Sequence, residues 1–161
     1  PQPLFKLVND ISRTVNQISV SLRPAILDDL GIAAALEWQV CTFEELTGLA
    51  CLLTVTPTDM DPDQETAIVI YRILQESLTN IMRHAQATKV DIAVSETGGL
   101  ITIVIKDDGQ GIAHHKNNGG DSFGLIGMRE RVNYLGGRFE ISGSPGKGTT
   151  VTAVIPNSRE R

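Results

Sequence analysis

In the middle of this 161-residue chain the spacing of apolar residues passes from a helical to an alternating period, and that change narrows the folds open to it. Over residues 65–84, Ala67, Ile70, Tyr71, Leu74, Leu78 and Ile81 recur at the spacing of one face of a helix. Over 89–95 and 100–106 apolar and polar residues alternate instead, the period of half-buried strands. Thr97-Gly98-Gly99 joins the two alternating runs, and paired glycines accept the positive φ of a tight hairpin, so adjacent antiparallel strands are predicted. A long one-faced helix followed by a one-faced hairpin points to helices layered on a sheet.

The flanks extend this pattern. A second helix is predicted over 32–46, stopped by Gly48, followed by a strand over 50–56 closed by Pro57. Beyond the hairpin, 109–123 is rich in glycine and polar residues without periodicity and reads as a mobile loop. A short helix is expected over 125–135, ended by Gly136-Gly137. A last hairpin follows, with strands 138–142 and 149–155 around Ser144-Pro145-Gly146-Lys147-Gly148. The expected fold class is α/β, a two-layer sandwich with a mostly antiparallel mixed sheet. At the start, Leu4, Val8, Ile11, Val15, Ile18 and Leu22 repeat at 4 and 3 residues, a narrow heptad seam suited to one helical partner, until Pro24 ends the run.

Composition excludes several functions. With 14 Lys plus Arg against 19 Asp plus Glu, the formal charge of −5 repels a phosphate backbone, so nucleic acid is not an expected partner. The two cysteines, Cys41 and Cys51, have neither zinc-site spacing nor a disulfide pattern, which suits a reducing cytoplasm. No apolar run reaches the length of a membrane helix, so no membrane contact is expected of this stretch.

Four constellations carry candidate chemistry. On the main helix Glu76, Asn80, Arg83 and His84 fall on one face; Asn80 offers an amide oxygen to magnesium and Glu76 a general base, although a solvated helix face would look the same. At a predicted strand end stands Asp107-Asp108-Gly109-Gln110-Gly111, where Asp107 can accept a hydrogen bond from an exocyclic amine and the glycines let backbone approach a flat ligand. Gly124-Leu125-Ile126-Gly127 opens a helix, where unpaired amides attract anions. Gly146-Lys147-Gly148-Thr149 lies between strands and has glycine where a P-loop needs Ser or Thr after the lysine, so it is not a Walker motif; likewise Gly109 and Gly111 lack the third glycine of a dinucleotide fingerprint. His114-His115, without further ligands, does not make a zinc site.

In this order, Gln75-Glu76-Ser77-Leu78-Thr79-Asn80 with Arg83-His84-Ala85, then Asp107 to Gly111, then Gly124-Leu125-Ile126-Gly127-Met128-Arg129-Glu130-Arg131, then Gly146-Lys147-Gly148-Thr149-Thr150 resemble the N, G1, G2 and G3 boxes of the GHKL ATPase superfamily. The wording of the third box, with Leu22-Arg23-Pro24 leading into Leu27-Asp28-Asp29-Leu30-Gly31, is similar to the sensor histidine kinases that signal to NarL-type response regulators. The resemblance implies a Bergerat fold that binds Mg-ATP and donates its γ-phosphoryl group to a histidine, for relay to a response-regulator aspartate. It implies adenine at Asp107 and, partly through water, Thr149; magnesium (Mg2+) at Asn80; phosphates near Gly124 and Gly127; and Glu76 assisting transfer. Arg83, His84, Gly109, Gly111 and Leu125 complete the implied nucleotide set. Residues 109–123 would be the ATP lid, 1–24 the end of a dimerisation helix forming a homodimer, and 25–161 the ATP-binding catalytic domain.

The phosphate-accepting histidine of such kinases lies in a box upstream of Leu4, so these 161 residues alone are not expected to autophosphorylate. Two rivals remain. An anti-sigma-type serine kinase or other GHKL ATPase would use the same pocket, and the heptad seam argues against it. A nucleotide-binding module without catalysis is the second, and Glu76, Asn80 and Asp107 argue against that.

Overall fold

The computed structural model describes residues 25–112 and 123–157; the heptad seam, His114-His115 and most of the expected lid lie outside them. Within them the order is α1 (Ala25–Thr47), β1 (Ala50–Thr56), α2 (Gln64–Asn80) continued by a π turn (Ile81–Ala85), β2 (Lys89–Thr97), β3 (Leu100–Asp107), α3 (Phe123–Tyr134), β4 (Arg138–Gly143) and β5 (Thr149–Pro156). No helix among the described residues is long and apolar enough to cross a membrane.

The strands form one sheet in the order β1-β2-β3-β5-β4. α2 carries the chain from β1 to its parallel neighbour β2, as a parallel pair requires, and every other pairing is antiparallel. Alternation along each strand aligns into rows across the sheet. One row runs Leu53, Ile92, Ile105, Val151, Ile141, and the next Val55, Val94, Ile103, Ala153, Phe139. These rows make the inner face, on which the helices pack, while Thr102 and Val104 are only half-buried and Lys106 is exposed on the other. A third row starts Cys51, Val90 and then Asp107, so the pairing places a carboxylate where the pattern calls for an apolar side chain.

The helices owe their limits to local chemistry. Asp63 caps α2, accepting from the Thr66 amide at 3.0 Å and the Thr66 hydroxyl at 2.7 Å, an arrangement that contributes about 1 kcal/mol. Val69, Ile70, Ile73, Leu74 and Leu78 form its buried stripe. α1 is broken at Gly31, whose φ of 78° no side-chain-bearing residue adopts without strain, and only beyond it do Ile32, Ala35, Leu36, Val40 and Phe43 bury a continuous face. The Tyr71 hydroxyl donates to Gln39 Oε1 at 2.8 Å, joining α2 to α1.

The sequence predicts one helix over 65–84, and here the structure differs. The α-helix stops at Asn80 and winds on as the π turn, which accommodates one more residue, buries Ala85 and exits through Gln86 in the left-handed region. A π turn persists where tertiary contacts satisfy the carbonyls it releases. Gln110 does so: its amide donates to the Ala85 carbonyl at 2.7 Å, and its side-chain nitrogen to that of His84 at 2.5 Å.

Candidate functional site

Between α2 and the sheet lies a cavity of about 180 Å³. Its helical wall is Ser77, Asn80, Ile81, His84 and Ala85; its sheet wall is Ile105, Asp107, Ile141, Thr149 and Val151; Leu125 of α3 and the Gly111-Ile112 stretch close it. The lining is largely apolar with a few convergent polar groups, the usual composition of a small-molecule site. Asp107 is 4% exposed. Its Oδ1 accepts the Gly109 amide at 2.8 Å, and an ionised carboxylate has further lone pairs for a donor in the cavity.

The next residue, Asp108, works differently. Exposed, it accepts the Thr88 hydroxyl at 2.6 Å, the Thr88 amide at 2.7 Å and the Lys89 amide at 2.9 Å, pinning the start of β2 beside the end of β3. The Thr88 hydroxyl above all, then the Lys89 and Thr88 amides, holds its carboxyl down at about 2. The Asp-Asp pair by itself does not say which carboxylate turns inward; the alternation through Ile101, Ile103 and Ile105 puts Asp107 on the buried face, and the sheet register fixes it.

The glycines that follow fit protein against protein. A Cβ on Gly109 would stand 2.2 Å from the Ala85 carbonyl oxygen, and one on Gly111 2.1 Å from that of Ser144. The Gly146 amide also donates to the Gln110 carbonyl at 2.8 Å. Residues 109–111 are therefore held between the end of α2 and the β4–β5 turn, which fixes the cavity floor. The sequence reading gave both glycines to ligand approach; only Gly111 lines the cavity. Gly148 approaches the Asp107 carbonyl just as closely, 1.9 Å from its ideal Cβ, which sets Thr149 on the wall that carries Asp107.

Six of the residues singled out from sequence thus line one cavity: Asn80, His84, Asp107, Gly111, Leu125 and Thr149. Glu76 does not line it. Its carboxylate rests against the first turn of α3, where a Cβ on Gly124 would fall 1.8 Å from Glu76 Oε1. Gly127 packs on the Arg131 guanidinium and Arg83 is exposed, both outside the lining. Sequence reasoning missed Ser77 and the apolar wall; Ile105 and Val151 were accessible from strand alternation, whereas Ser77 gives no signal until α2 is placed against α3.

Comparisons with known proteins bear on the family and the fold. Residues 65–159 match the family described as histidine kinase-, DNA gyrase B-, and HSP90-like ATPase. The chain is 38% identical over 157 residues to the signal transduction histidine-protein kinase/phosphatase DegS of Brevibacillus brevis, covering 98% of this chain but only 40% of that relative. Among solved structures, the histidine kinase domain from the Erythrobacter litoralis EL346 blue-light activated histidine kinase superposes with a TM-score of 0.66 at 26% identity, over 80% of this chain and 62% of that one. Acinetobacter baumannii histidine kinase AdeS gives 0.67 at 20% identity, over 98% and 83% respectively, a likeness of fold. With the family match covering more than half its length, the chain belongs to the histidine kinase-, DNA gyrase B- and HSP90-like ATPases, and its two-layer sandwich is their Bergerat fold.

Proposed function

We propose that this chain is the ATP-binding catalytic part of a sensor histidine kinase. It binds Mg-ATP in the cavity under α2 and passes the γ-phosphoryl group to a histidine on a dimerisation segment, for relay to an aspartate of a NarL-type response regulator. The observation that carries the reading is Asp107, a carboxylate in an apolar row of the sheet. A buried acceptor-only group in an apolar cavity suits a ligand that brings its own donor, and the exocyclic amine of adenine is such a donor. Guanine would present a carbonyl oxygen there and be repelled. Thr149, which lines the same wall, would act partly through water.

Asn80 fits magnesium. Among the described residues no three His, Cys, Asp or Glu gather into a metal cage, and magnesium bound with nucleotide phosphates needs only one or two protein oxygens. The amide oxygen of Asn80 would hold it, and the ion would neutralise phosphate charge. In the transfer, an imidazole nitrogen of the acceptor histidine forms a bond to the γ-phosphorus as the bond to the bridging β–γ oxygen breaks, releasing ADP. Glu76, one turn before Asn80, would take the proton that the imidazole gives up. The relationship to DegS, a histidine-protein kinase by name, and to a blue-light activated histidine kinase favours a histidine acceptor over serine or water.

The test supplies the chain with γ-labelled ATP and a separate dimerisation segment bearing the histidine. Acid-labile label on that segment is expected. Acid-stable label would identify a serine kinase, and nucleotide binding without any label a binding module.

A further inference from the structure

We propose that Ser77 is a second hydrogen-bonding group for the base of the bound nucleotide, reaching a purine ring nitrogen directly or through one water from the wall opposite Asp107. The inference rests on the ATP reading above and adds a residue to it. Ser77 is 2% exposed, lies on α2 one turn before Asn80, and lines the cavity. A hydroxyl inside a helix ordinarily donates back to the carbonyl four residues earlier. Thr42, Thr47 and Thr79 all do so, to Trp38, Phe43 and Gln75 at 2.9, 2.7 and 2.8 Å.

Ser77 does not. Its Oγ turns from its own helix to the Met128 sulfur across the α2–α3 contact, at 3.8 Å. A thioether is a weak acceptor, so this buried hydroxyl holds a bond well short of its capacity. None of the cavity's other polar side chains, Asn80, His84, Asp107 and Thr149, is a hydrogen-bond partner of this hydroxyl, and Ile81, Ile105, Ile141 and Val151 are apolar. A hydroxyl under-satisfied on one wall and a carboxylate on the other match the edge of adenine, where an amine donor stands beside ring-nitrogen acceptors. The Asp107 carboxylate takes the amine; the Ser77 hydroxyl, giving up the sulfur, donates to the nitrogen.

Calorimetry on the whole chain tests this with ATP and with its 1-deaza, 3-deaza and 7-deaza analogues, for the parent and for Ser77→Ala and Ser77→Cys. Both variants should bind ATP roughly 2- to 12-fold more weakly, the range of one neutral hydrogen bond. One deaza analogue should show no such loss, because the nitrogen that Ser77 contacts is already gone. Unchanged ATP affinity in both variants overturns the proposal, as does a loss of equal size for all three analogues, which would make Ser77 a packing residue. A parent chain that binds no ATP at all overturns the functional reading as well, so the two failures are distinguishable.

Discussion

Two adjacent aspartates show how little residue identity alone decides. Asp107, the last residue of β3, turns inward to the cavity, and Asp108, just past the strand end, turns outward to Thr88 and Lys89, because successive side chains of an extended backbone point to opposite sides. If Asp107 receives the adenine amine, Asp107→Asn should weaken ATP binding by about 1.5–3 kcal/mol, or roughly 10- to 150-fold. GTP should bind the parent poorly; equal calorimetric affinities for ATP and GTP would sink the assignment. Asp108 predicts a pH effect instead. Its folded carboxyl lies at about 2 against an ordinary 3.8, so the ionised form is favoured by folding. Its contribution is present in full above 3.8 and is lost as pH falls from there through about 2. Asp108→Asn should therefore unfold at lower urea than the parent at neutral pH, with the gap closing across that acid window. A gap that stays constant down to the lowest pH would show that the carboxylate's charge is immaterial.

At the scale of elements, strands were the most legible part of the sequence. Observed β1 is 50–56 as read, and β2 to β5 end within two residues of their expected limits, because period-two alternation leaves one register that buries all the apolar residues. The π turn was not legible. Residues 81–85 continue a good helical pattern, and what bends them is Gln110, a contact formed only when the β3 end meets α2. The glycines of the motifs were legible as close approaches but not as approaches to what. This yields a contrast. At Gly109 the obstacle to a Cβ is the Ala85 backbone, which cannot move without disturbing the π turn, so Gly109→Ala should destabilise by about 1–3 kcal/mol. At Gly124 the closest atom is the end of the Glu76 side chain, which can rotate away. Gly124→Ala should keep a melting temperature close to the parent's while displacing Glu76, so phosphoryl transfer suffers more than ATP binding. Thermal melts that rank the two substitutions in the reverse order would contradict the packing described here.

For the whole molecule, the legible quantity was the number of layers and the hidden one the strand order. Local pairing gives the β2–β3 and β4–β5 hairpins, but nothing in either says that β5 rather than β4 lies against β3, or that β1 runs parallel to β2. Those choices follow from burying Ile103, Ile105, Val151 and Ala153 under one set of helices. They also gather the cavity wholly from residues between Ser77 and Val151, far along the chain from the heptad seam of Leu4 to Leu22. The proposed division at residue 24 then has a measurable consequence. A chain beginning at Ala25 retains α1 with its buried Ile32, Leu36 and Phe43, every strand, and every lining residue. It should bind ATP as tightly as the parent, within about the twofold that separates values differing by less than half a kcal/mol. The parent, carrying fewer than three full heptads, should associate weakly through Leu4, Val8, Ile11, Val15, Ile18 and Leu22, and the shortened chain should remain monomeric. Sedimentation at high concentration compares the two directly. Equal monomeric behaviour would remove the dimerisation role proposed for residues 1–24 and leave the nucleotide site standing, whereas loss of ATP binding on truncation would show that the site depends on the seam.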